Sequence, residues 1–202
     1  MQSTITYWLA VVRRVAPAAG LIALVAGGAM LAVLLVGDGV PVASALGQSA
    51  LAGLICGVAF LLVVPVPDTV TAVRTASHYG LLLESAAARL PAVRRVTADT
   101  SGATAFQLAD SILHTIKKAQ TPVIAEVLEL GHGKVSLICK TPYGPQIQVS
   151  VDIAVAEGRA VAVITCRPTT SWKRLDGGAS WAIAGTMERH ARAALSESET
   201  GR

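Results

Sequence analysis

Residues 15–64 carry one charged side chain, Asp38, and any fold must find a solvent for that run. It divides into two apolar segments. Residues 15–36 read VAPAAGLIALVAGGAMLAVLLV and residues 42–64 read VASALGQSALAGLICGVAFLLVV, neither with a charge. About 20 apolar residues cross the hydrocarbon core of a bilayer, so both segments are long enough. Only GDGVP, residues 37–41, separates them, and it is a Gly/Pro turn. Two spans joined so closely form an antiparallel hairpin.

Small residues recur along both segments at every fourth position. The second carries Ala45, Ser49, Gly53 and Gly57; the first carries Ala19, Ala23 and Gly27. Lipid supplies no hydrophobic force between helices, so their association depends on close backbone approach, which small side chains permit. These two stripes are the expected packing faces of the hairpin, or of contacts with further copies.

Charge sets the expected orientation. Arg13 and Arg14 precede the first span, the turn holds only Asp38, and Arg74, Arg89, Arg94 and Arg95 follow the second span. Basic residues stay on the cytoplasmic side. The expectation is a multi-pass protein of the inner or plasma membrane, with a cytoplasmic N-terminus (1–14) and an external turn (37–41). Tyr7 and Trp8 suit an interface near the first span. An alternative for the same residues is a signal peptide, with Arg13-Arg14 before the apolar run and VASA at 42–45 as its cleavage site. The run is longer than the usual 7–15 residues of such peptides.

The remainder resembles an ordinary soluble domain. Charged residues make up 15% of the chain, against about 25% in a typical soluble domain, and the deficit lies in the first third. Fifteen of the seventeen basic residues and twelve of the thirteen acidic ones follow residue 65. That near balance gives no clustered basic face, so nucleic acid is not an expected partner. Mild basicity suits a domain beside an anionic membrane surface.

Residues 65–102 are expected to form a connector helix, from Asp68 to Leu90, and then a linker, PAVRRVTADTSG. A helix over 103–120 places Phe106, Ala109, Ile112, Leu113 and Ile116 on one face, with Thr100 or Ser101 as its cap. Four strands follow, at 123–130, 134–140, 146–155 and 159–166. The third alternates throughout: Ile147, Val149, Val151, Ile153 and Val155 point one way, Gln146, Gln148, Ser150 and Asp152 the other. Such alternation marks a sheet with one wet face. A last helix covers about 179–196, and 197–202 form a disordered tail. The expected fold class is an α+β membrane protein. A two-helix transmembrane hairpin precedes a cytoplasmic α-β-β-β-β-α domain (103–196), whose four-stranded antiparallel sheet is covered on one face by two helices.

No stretch carries a catalytic spacing. His114, His132 and His190 form no HxxxH or HExxH pair, so no metal is expected, and no cofactor. Cys56, Cys139 and Cys166 lie far apart without a CxxC. Ser136 and Ser150 sit in strands rather than in a nucleophile elbow. The loop CRPTTSWKRLDGG, residues 166–178, is the candidate contact for an anion or a lipid headgroup. It holds Arg167, Trp172, Lys173 and Arg174, cations beside an indole face.

The expected role is non-enzymatic: a membrane anchor presenting a cytoplasmic binding or assembly domain to a partner complex. The expected partners are the lipid bilayer, other membrane proteins and copies of itself. One alternative is an oligomeric pore or channel gated by a ligand on the domain. Another is an enzyme acting on a lipid or nucleotide, with Arg167, Lys173 and Arg174 holding the anion.

Overall fold

A computed structural model describes residues 2–37, 41–100, 102–170 and 175–200. The chain divides into two compact units, Met1–Thr69 and Val70–Arg202.

The first unit is a helix pair. Helix α1 runs Gln2–Gly37 and α2 runs Val42–Val63; α3, Pro65–His78, begins in this unit and ends in the next. Both long helices are apolar enough to cross a membrane. The pair meets along a four-residue repeat. Tyr7, Val11, Val15 and Ala19 are buried on α1, and Ala45, Ser49, Gly53 and Gly57 on α2. The large side chains Leu21, Leu24, Val25, Leu54, Ile55 and Val63 all face outward.

The second unit is α+β. After α3 and a short 3-10 turn, Ser85–Ala88, come β1 Ala92–Asp99, α4 Ala105–Ala119, β2 Val123–Gly131, β3 Lys134–Lys140, β4 Ile147–Ala156, β5 Arg159–Pro168 and α5 Ala179–Thr200. The sheet has five strands in the order β1-β5-β4-β3-β2, every pair antiparallel. Strands β2 to β5 form a meander, and β1 adds to its far side against β5. One face is covered: α4 lies against β2, β3 and β4, and α5 against β1, β5 and β4. The core between them holds Ile112, Leu137, Ile147, Ile164 and Met187, all fully buried.

Four expectations are corrected. The sheet has five strands, because residues 92–99, expected within a linker, form β1. The connector helix ends at His78 instead of Leu90. Gly80 takes φ +62, and the Leu81 and Gly80 amides donate to the Ala76 and Ser77 carbonyls. This pattern closes a helix around a left-handed residue, the conformation glycine adopts most cheaply. Thr104, not Thr100 or Ser101, caps α4. Its hydroxyl accepts from the Gln107 amide while Gln107 Oε1 accepts from the Thr104 amide, a reciprocal box. Finally, α5 continues to Thr200, through residues expected in the tail.

Candidate functional site

In the first unit the small residues meet backbone to backbone. A β-carbon placed on Gly53 would stand 2.5 Å from the Ala23 carbonyl oxygen. One on Gly27 would stand 3.0 Å from the Ser49 carbonyl oxygen, and one on Gly57 would stand 3.0 Å from Ala23 Cβ and 3.3 Å from the Ala19 carbonyl oxygen. Gly53 leaves no room for a side chain against the facing backbone, and a β-carbon at Gly27 or Gly57 would need its neighbours to give by a few tenths of an ångström. Ser49 turns its hydroxyl back to its own helix, donating to the Leu46 carbonyl at 3.0 Å. Ala45 is buried on the same stripe. Gly20, Gly28 and Gly47 differ: a β-carbon there meets nothing within 4 Å.

The end of this unit holds a polar contact that sequence reasoning missed. The Tyr7 hydroxyl donates to Asp68 Oδ2 at 2.7 Å, and Tyr7 is almost wholly buried. Asp68 was expected to start a helix; it lies inside α3 and serves as an acceptor for α1. The repeat of four from Tyr7 through Val11 and Val15 to Ala19 was the available signal.

In the second unit the anion-contact loop is described only in part. Arg167 lies on β5, on the uncovered face of the sheet. Its Nε and Nη2 donate to Gln148 Oε1 at 3.2 and 3.1 Å. Trp172, Lys173 and Arg174 lie outside the described residues. At the end of the loop, Asp176 is buried and its Oδ2 accepts from the Ser180 amide at 2.8 Å, tying the loop to the first turn of α5. An acidic residue shortly before a helix is the signal for such a contact.

The uncovered face carries polar pairs among apolar side chains such as Val93 and Val163. Ser150 donates to Asp152 at 3.1 Å, Lys134 pairs with Glu129 at 2.9 Å, and Arg159 with Asp99 at 3.2 Å. The Glu129 carboxylate raises the Lys134 ammonium above its ordinary value. Gln146 contributes its carbonyl to the Thr169 amide and hydroxyl.

The thiols of this unit are chemically quiet. Cys139 and Cys166 point into the core on neighbouring parts of the sheet. Burial pushes Cys139 up to about 12, and Cys166 well above the ordinary thiol value. The thiolate is the nucleophile, so both are held in the unreactive form. His190 Nε2 contacts the Thr121 carbonyl, and His132 occupies the β2–β3 turn at φ 46. Among the described residues no three His, Cys, Asp or Glu side chains come together as metal ligands do. Comparison of the chain with family models, with curated proteins and with solved structures returns no match.

Proposed function

We propose that this chain is a membrane-anchored assembly component. Its helix pair crosses the inner or plasma membrane as a hairpin, and its C-terminal unit lies in the cytoplasm and binds a partner there without catalysing a reaction. The observation that carries this is the direction in which the large apolar side chains face. Only 11% of the apolar window of α1, and 22% of that in the helical run continuing through α2, is buried within the chain. A core helix of a soluble protein hides such residues. Leucines and valines left exposed over this length need lipid or another apolar surface as their solvent. Helix α1 also has 36 residues, about 54 Å at 1.5 Å per residue, which exceeds a hydrocarbon core of roughly 30 Å. The excess suits a segment that leaves the bilayer at the Arg13-Arg14 end. The glycine seam favours an anchor over a pore: the two backbones approach closely there, and the Ser49 hydroxyl is turned to its own helix. The mixed polar and apolar uncovered face of the sheet supports a binding surface.

Vesicles of both orientations, treated with protease, test the arrangement. Degradation of the C-terminal unit in inside-out vesicles and its protection in right-side-out vesicles is expected; the reverse pattern removes the proposal. Gentle solubilisation followed by affinity capture and mass spectrometry then tests for the partner. A chain recovered only by itself contradicts the heteromeric part of the proposal.

A further inference from the structure

The two outer strands of the sheet differ as edges. Strand β2 shifts register twice, between Ile124 and Glu126 and between Val127 and Glu129. Bulges of this kind turn an edge away from further pairing. Strand β1 keeps one unbroken register with β5 over its eight residues, and it holds no proline. On the line of that register, the Thr100 amide donates to the Gly158 carbonyl at 2.6 Å. Antiparallel pairs alternate between those that exchange backbone hydrogen bonds and those that do not. Even-numbered residues of β1 therefore bond to β5. The amides and carbonyls of Val93, Arg95, Thr97 and Asp99 point away from it, to the outer edge, where no described strand pairs with them. Two concavities flank this end of the strand, and both include Thr97, Ala98 and Asp99 in their lining. One, of about 470 Å³, reaches Arg159 on the uncovered face; the other, of about 490 Å³, reaches Arg192 of α5.

We propose that β1 pairs antiparallel with β1 of a second copy of this chain, joining two sheets edge to edge. Charge selects the occupant and its register. Side chains directly opposite share a face and interact, and like charges there repel. The outward-bonding positions admit few alignments of β1 with itself. One sets Arg95 against Arg95. Another sets Arg95 against Asp99 in both directions, with Thr97 facing Thr97 on the twofold axis. The second makes two Arg–Asp pairs, and the outward-bonding residues 95, 97 and 99 all fall in hydrogen-bonded pairs, with 96 opposite 98 in the non-bonded pairs between them. Asp99 already accepts from Arg159 at 3.2 Å, so each carboxylate comes to lie between two guanidinium groups. An extended peptide from another protein finds the same free edge but not this self-complementary spacing. The inference concerns only the edge of the second unit and stands independently of the membrane proposal.

Cysteine cross-linking of the full chain in detergent micelles and in lipid nanodiscs tests it. Thr97→Cys is expected to give a disulfide-linked dimer on mild oxidation, at least tenfold above both the unsubstituted chain and Val93→Cys. The two Val93 positions stand about 26 Å apart in this register. Arg95→Asp, introduced beside Thr97→Cys, should weaken self-association about tenfold, and adding Asp99→Arg together with Arg159→Asp should restore it. Circular dichroism and a thermal melt establish that each variant remains folded. Equal cross-linking at 93 and 97, a monomeric Thr97→Cys chain, failure of the charge exchange to rescue, or capture of a different protein at Thr97 in native membranes each overturns the proposal.

Discussion

In the helix pair, Ala45, Ser49, Gly53 and Gly57 face inward and Leu24, Leu54 and Val63 face outward; in the sheet unit, Leu137, Ile164 and Met187 are inside and side chains such as Asp99 and Arg159 outside. One chain thus turns large aliphatic side chains such as Leu54 outward in one unit and ones such as Leu137 inward in the other. In water, burying large apolar side chains is the main driving force, at roughly 25 cal/mol per Å², so the largest go to the core. Where the solvent is itself apolar that gain vanishes, and what remains is dispersion and close backbone contact, which the smallest residues serve best. The outward-facing leucines of the first unit are what such an exchange of solvent would favour, in keeping with the proposed membrane placement.

Substitutions can break the comparison. The largest effect is expected in the sheet core. Leu137→Ala should lower the stability of the second unit by about 2–5 kcal/mol, read from denaturant unfolding. The same change at Leu54, exposed on α2, should cost less than about 0.5 kcal/mol. Equal losses at the two sites would erase the distinction. Next comes Gly53→Val, whose β-carbon meets the Ala23 carbonyl: it should cost the helix pair about 1–3 kcal/mol in SDS titration of mixed micelles, without moving the melt of the sheet unit.

A further effect appears only at high pH. Burial raises the Cys139 thiol to about 12 from an ordinary 9.0, so the folded state favours the neutral form. The corresponding stability is complete below pH 9 and is lost as pH rises through that interval toward 12. Unfolding measured across this range should show the decline in the native chain and a shallower one in Cys139→Ala. The smallest effect is at Gly20, where a β-carbon meets nothing: Gly20→Ala should leave the helix pair unchanged or stabilise it by less than about 1 kcal/mol.

Much of this architecture was legible because the period of the apolar pattern is strong. The perfect alternation of β4 and the four-residue stripe of α2 each depend on one spacing repeated without interruption. Strand β1 was not legible, because Arg94-Arg95 and the preceding Pro91 resemble a linker. As an edge strand it buries only Ala92 and Val96, while Arg94 reaches Glu188 of α5 at 3.7 Å. A strand that buries so few apolar groups leaves little trace in composition. The stop at Gly80 was legible in principle, since glycine after a helical run is a known terminator, but the leucines beyond it extended the apolar pattern. The Tyr7–Asp68 contact spans 61 positions, and such pairs follow only from the antiparallel alignment of the two helices.

The central claim is that lipid solvates the first third of the chain, and alkaline carbonate extraction of membranes from cells expressing the full chain tests it most directly. The chain is expected to remain in the membrane pellet after carbonate and to leave it only with detergent. Recovery in the aqueous supernatant, as a folded species without detergent, would contradict the account.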